Sequence, residues 1–301
     1  MPFKKIATID NCGLVGPFRD KVLGLSQTPV TPATDDPTSE EQIVARIGDA
    51  DCALVSWRTQ VPGSVLRACP SLKYVGMCCS LYDEDAANVD IREAKKLGIT
   101  VTGVKDYGDD GTLEFIFAEL ISLYKGLGPR KWSEDNTELT SKTLGIVGLG
   151  FLGKMVARAA LLFGMKVLYN SRTRKPDMEE LGCEYAEFGD LLARADVVTA
   201  HLPRNTVIFD AAAFKAMKER AIFVNTSLGQ PFVAEAFFDW IGKKSGNFAI
   251  FDMPGSGTVT ARCKDYPNIV LYERPSGFTS EARERLTAKV YDNMVAFLDK
   301  K

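Results

Sequence analysis

The segment TLGIVGLGFLG, Thr143 to Gly153, limits the fold of this chain more than any other stretch. An apolar, β-branched run empties into Gly148-x-Gly150-x-x-Gly153, and the helical pattern KMVARAALLFG begins at once. Each glycine has a separate task in a strand–turn–helix that binds a dinucleotide. The first permits the tight turn, the second lets the backbone approach a pyrophosphate, and the third lets helix and strand pack closely. The helix start then offers free N–H groups and the positive end of its dipole. A second strand, KVLYN, follows at the right distance. Gly148, Gly150, Phe151, Leu152 and Gly153 are therefore expected to line a dinucleotide coenzyme.

The coenzyme's adenosine ribose is read at the end of that second strand, where NAD sites place an acidic residue about 20 positions after the glycines. No Asp or Glu occurs between Gly148 and Pro176. The place is taken by Asn170-Ser171-Arg172-Thr173-Arg174-Lys175, hydroxyls interleaved with cations. That chemistry suits a 2′-phosphate through charge-assisted hydrogen bonds. NADP is expected in preference to NAD, with Ser171, Arg172, Thr173 and Arg174 as contacts.

Ten short apolar runs alternate with helical patterns: KIATI, CALVSW, LKYVGM and TVTGV, then LGIVG, KVLYN, DVVTAH, AIFVN, AIFDM and NIVLY. Such alternation indicates an α/β fold with parallel sheets. Ten strands are many for one sheet, and the polar stretch KDYGDDG separates the first four from the other six. The expected division is a first domain of residues 1–105 plus 281–301 and a second of residues 106–280. The closing segment carries Leu286, Val290, Met294 and Phe297 at helical spacing, so it reads as one amphipathic helix returning to the first domain.

Charge and cysteine usage narrow the function classes. The 301 residues include 37 Lys or Arg against 39 Asp or Glu, a formal charge of -2, so no global field favours nucleic acid or an anionic membrane surface. Seven cysteines lack both disulfide-framework spacing and a C-x-x-C pair, which points to a reducing compartment and to no bound metal. The opening MPFKKIATID has no signal-peptide core, and FIFAELISLY and ARAALLFGM are broken by Glu119 and Arg158. A cytoplasmic protein acting on a small molecule is expected.

The order of motifs resembles the D-isomer-specific 2-hydroxyacid dehydrogenases. The likeness runs through Asn88-Val89-Asp90-Ile91, Glu114, KTLGIVGLGFLG, the strand-end His201-Leu202-Pro203, FKAMKERAIFVNTS, AIFDM and the closing FTSEA. It implies a Rossmann coenzyme domain inserted into a discontinuous, flavodoxin-like substrate domain, with the active site in the cleft between them. It also places His201, Leu202, Pro203, Thr206, Thr226, Ser227, Leu228 and Asp252 beside the coenzyme. A homodimer is implied too, although the segment YKGLGPRKW is several residues shorter than in the family and counts against it.

Members of that family reduce 2-oxo acids with an arginine that grips the carboxylate, a histidine that donates the proton and a glutamate that raises the histidine's pKa. The matching arginine position here is Leu228. The glutamate stretch is Met253-Pro254-Gly255-Ser256-Gly257, without a carboxylate, and the histidine position in LYERPSGFTSEA is Arg274. The only histidine in the chain is His201. Arginine cannot donate a proton near neutral pH, and losing a general acid typically costs about 10² to 10⁴ in rate. Arg274 can instead hold an anion. The expectation is an NADPH-dependent reductase of an unusual acceptor: an imine, a pterin-like C=N, or an unusual 2-oxo acid. Candidate proton donors are Tyr82, Asp83, Asp85, Asp106 and Tyr107. A coenzyme-sensing protein without catalysis, and a dehydrogenase rebuilt around Arg274, are the alternatives.

Overall fold

The computed structural model describes the whole chain except Asp83, Ala86, Asn205, Lys244, Ser245 and Lys301. Its contacts separate two units, Met1–Gly108 with Thr279–Lys301, and Asp109–Phe278. The candidate donor Asp83 lies outside the described residues.

The first unit holds four strands, β1 (Ile6–Thr8), β2 (Cys52–Val55), β3 (Tyr74–Ser80) and β4 (Thr100–Val104), all parallel in the order β1-β2-β3-β4. Phe3 bridges Ser26 outside β1, with Phe3 N donating to Leu25 O at 2.9 Å and Gln27 N to Phe3 O at 2.9 Å. Counting that bridge as a vestigial second strand gives the flavodoxin-like order 2-1-3-4-5. The segment around Ser26 shows no apolar alternation, so it does not read as a strand in the sequence.

Capping residues set the helices of this unit. Ser39 accepts from Gln42 N at the start of Glu40–Ile47, which buries Ile43 and Ile47. Asp90 caps Ile91–Lys96, and Gly98 ends it at φ +71°. The closing helix, Ser280–Leu298, is capped by Thr279 and buries Leu286, Val290, Met294 and Leu298 against Phe3, Ile6, Tyr74 and Cys78. The sequence places Phe297 on this buried stripe; its ring is partly buried and stacks on Phe3.

The second unit holds seven parallel strands: β5 (Thr143–Val147), β6 (Lys166–Asn170), β7 (Glu184–Tyr185), β8 (Val197–Ala200), β9 (Ile222–Asn225), β10 (Phe248–Asp252) and β11 (Ile269–Tyr272). Their order is β11-β10-β9-β8-β5-β6-β7. This is the Rossmann order 3-2-1-4-5-6 with one strand added, and the strand order reverses between β5 and β8, where such sheets bind their ligands. Only β7, two residues long, is missing from the ten runs read in the sequence.

Both faces of the central strands are covered, which is why they read as continuous apolar runs. One face carries a dense aromatic cluster: Phe209, Phe214, Phe223, Phe232, Phe237 and Phe251. Among the described residues no helix is long and apolar enough to cross a membrane, and no group of three or more His, Cys, Asp or Glu gathers to hold a metal ion.

Candidate active site

Because every strand of the second unit is parallel, the loops after β5, β6, β8, β9, β10 and β11 all emerge at the same sheet edge. That edge collects most of the residues singled out from the sequence.

The turn after β5 is shaped by its glycines in three different ways. Gly148 has φ +98°, and a Cβ there would stand 2.2 Å from His201 O. At Gly153 a Cβ would meet Gly148 O at 2.3 Å, so this glycine serves the helix–strand contact. Gly150 differs, because a Cβ on it would meet nothing within 4 Å. The protein leaves that space open above the helix Phe151–Leu162, whose N-cap is Gly150 itself and carries no side-chain cap. Open volume beside uncapped N–H groups is the cradle that a pyrophosphate requires. Phe151 is exposed there, whereas Leu152 packs on the core beneath.

The loop after β6 sorts cations that look alike in sequence. Arg174 does not face an open ribose site: its Nε and Nη2 reach the two carboxylate oxygens of Glu179 at 2.8 and 2.6 Å, and its guanidinium lies 4.8 Å over the Tyr185 ring. Glu179 also accepts from the Tyr169 hydroxyl, which itself receives Lys175 N at 2.8 Å. The Arg174 guanidinium holds the Glu179 carboxyl down at about 2. Two of the five N–H donors of Arg174 are thus engaged in shaping the loop. Arg172 is exposed with no ion pair among the described residues, Ser171 is half-buried beside it, and Thr173 is exposed and accepts from Lys175 Nζ.

The loops after β8 and β9 are laced together. Ser227 Oγ donates to Ala200 O at 3.0 Å and accepts from Leu202 N at 3.1 Å. The buried Asn225 amide reaches Gly229 O at 3.0 Å and Gly255 O at 2.7 Å, which ties in the loop after β10. Pro203 is exposed, and its carbonyl accepts from the N–H of the half-buried Thr206. Leu228 stands on the crest of its loop, 43% exposed. Two buried polar atoms at this edge, His201 Nδ1 and Thr226 Oγ1, have no partner.

His201 Nε2 lies 3.1 Å from Thr199 Oγ1, and burial pushes the imidazole's pKa down to about 4. The ring is neutral at physiological pH and carries no acidic proton to spend. A stability consequence follows: the unfolded chain takes up this proton near pH 6.5, the folded chain only near 4, so acidification through that window favours unfolding by up to about 3 kcal/mol. Urea midpoints read by tryptophan fluorescence from pH 7 to pH 4 should fall less steeply for His201→Asn than for the wild type. Identical slopes would contradict the assignment.

Asp252 is placed inward. One oxygen caps Gly255 N at 2.9 Å and the other accepts from Ser276 N and Ser276 Oγ, at 3.0 and 2.8 Å. Burial raises its pKa against those bonds. Its visible work is to fix the loops after β10 and β11 to each other. In the latter loop Arg274 is exposed, with its backbone carbonyl taken by Met253 N and its guanidinium in no ion pair among the described residues.

The remaining candidate donors lie in the first unit. Tyr107 packs against that unit's core, and its carbonyl accepts from Arg285 Nε. The Tyr82 hydroxyl pairs with Asp106 at 3.2 Å, and Asp85 pairs with Arg92 at 2.5 Å. One exposed cation was missed in the sequence reading, Arg204 in the loop after β8, because nothing in HLPRNT distinguishes it from a solvated side chain.

Sheet order, glycine turn and edge loops together define a nucleotide-dependent dehydrogenase architecture. Residues 118–271 match the family described as D-isomer specific 2-hydroxyacid dehydrogenase, NAD binding domain. The chain is 31% identical over 281 residues to a glyoxylate reductase of Thermococcus litoralis, covering 85% of this chain and 82% of that one. It is 27% identical over 285 residues to a hydroxypyruvate reductase of Blautia hydrogenotrophica, covering 87% and 86%. The fold superposes on the TT0316 protein of Thermus thermophilus with a TM-score of 0.83 at 24% identity, covering 98% of this chain and 97% of that one. The chain belongs to the D-isomer-specific 2-hydroxyacid dehydrogenase family and is an NAD(P)-dependent oxidoreductase.

Proposed function

We propose that this member is an NADPH-preferring reductase whose acceptor is a small 2-imino acid that brings its own proton. The observation that carries the reading is the state of the chain's one histidine. His201 is buried at Nδ1 with its pKa pushed down to about 4, and Leu228, residues 253–257 and Arg274 stand where the family resemblance places the arginine, the glutamate and the histidine. A nicotinamide coenzyme, when bound, would supply a hydride. When a ketone is reduced, the displaced electron pair settles on oxygen and calls for a proton from the protein. In a protonated imine the pair settles on a nitrogen that already bears its proton, so the lost acid is not missed.

For the coenzyme, Gly148, Gly150 and Gly153 with the uncapped helix start suit the pyrophosphate, and Arg172 with Ser171 suits a 2′-phosphate. The second reading is reduction of a 2-oxo acid itself. It is favoured by relatives that carry the names glyoxylate reductase and hydroxypyruvate reductase.

Nicotinamide absorbance followed with glyoxylate and hydroxypyruvate, each with and without ammonia, tests both. Consumption of NADPH that grows with ammonia supports the imine reading. Turnover indifferent to ammonia supports the oxo acid, and none on any combination overturns the proposal.

A further inference from the structure

We infer that Arg204 is the substrate-binding residue that grips the acceptor's carboxylate, replacing the arginine absent at position 228. The inference rests on the reading above that the acceptor carries a carboxylate.

The loop after β9 turns at Gly229, which has φ +123°, a conformation open to glycine and strained for other residues. A Cβ at that glycine would lie 3.8 Å from Arg204 Cγ, so the Arg204 side chain runs alongside the Leu228–Gly229 crest. The contact follows from topology. Strands β8 and β9 are direct neighbours, and Ser227 bonds the two loops together through Ala200 O and Leu202 N. The Arg204 side chain, on the loop after β8, therefore stands beside the loop that carries residue 228.

Charge supports the same assignment. Arg204 is exposed and has no ion pair among the described residues, whereas Arg174, Arg194 and Arg262 of the same unit are each paired with a carboxylate. Of the other arginines at this edge without an ion pair among the described residues, Arg172 follows β6 and Arg274 follows β11. Strand β11 is two strands beyond β9, roughly 10 Å at the usual strand spacing.

The test measures binding of oxalate, an unreactive analogue of a small 2-oxo or 2-imino acid, to the protein saturated with NADPH. Arg204→Leu should weaken oxalate about 10- to 100-fold, the range of a lost hydrogen-bonded charge pair, and leave NADPH affinity within about twofold. Arg204→Lys should fall between. The exchange variant Arg204→Leu/Leu228→Arg should regain much of the loss, because the guanidinium returns to the same ground from the neighbouring loop. Oxalate affinity unchanged in Arg204→Leu, lost instead in Arg274→Leu, or absent in the wild type overturns the assignment. A parallel loss of NADPH affinity also overturns it, by giving Arg204 to the coenzyme. Turnover assays separate this from the functional reading: Arg204-dependent oxalate binding without reduction of any acceptor keeps the carboxylate site and sinks the reductase. Amine-dependent reduction indifferent to Arg204 does the reverse.

Discussion

Gly148→Ala should abolish coenzyme binding and destabilise the second unit, whereas Gly150→Ala should abolish coenzyme binding and leave stability nearly untouched. The contrast comes from what each new methyl group would meet. At position 148 it would stand 2.2 Å from His201 O on a backbone of φ +98°, so both the turn and the loop after β8 must move. Overpacking against backbone together with a strained φ costs roughly 2 to 4 kcal/mol. At position 150 the methyl group would meet no protein atom within 4 Å and would project only into the space kept for the pyrophosphate. A drop of at least about 100-fold in NADPH affinity is expected for both, from the loss of close backbone approach to the phosphates. Thermal melting and nicotinamide fluorescence on the two variants check this. A destabilised Gly150→Ala, or one that binds NADPH normally, contradicts the assigned roles.

Arg172→Ala should weaken NADPH about 10- to 100-fold and change NADH by less than about twofold, because a charge-assisted contact to the 2′-phosphate exists for only one of the two coenzymes. Arg174→Ala should act differently. Its guanidinium already spans both oxygens of Glu179, so its loss loosens the loop and frees the Tyr169–Glu179 pair. The expected result is a modest weakening of NADPH, several-fold smaller than that of Arg172→Ala. Equal losses of NADPH and NADH in Arg172→Ala would refute the preference.

These two arginines illustrate what the sequence could disclose. The run Ser171 to Lys175 announces a basic turn, but only the fold shows that Glu179, five residues on, pairs with Arg174 while Arg172 has no ion pair among the described residues. The glycine turn was legible because Gly148 and Gly153 answer to local steric demands and Gly150 leaves the helix start open. So were ten of the eleven strands, most of them mainly buried, although β4 is largely half-exposed. The two-residue β7 and the bridge at Ser26 were not, since neither is long enough to print an apolar pattern. Asp252 and Tyr107 were read as facing coenzyme or substrate. Asp252 bonds to Gly255 and Ser276, and Tyr107 packs partly buried on its own unit's core, contacts that no residue pattern announces. Arg204 was invisible for a topological reason: residues 204 and 229 become neighbours only once β8 and β9 pair.

The proposed reductase takes its proton from the acceptor and not from a histidine of the protein. The most direct test is the identity of the product formed from glyoxylate and ammonia with NADPH, read by mass spectrometry. Glycine formed in step with NADPH consumption, at a rate that rises with ammonia, is the predicted result. Glycolate formed at the same rate with and without ammonia would contradict it.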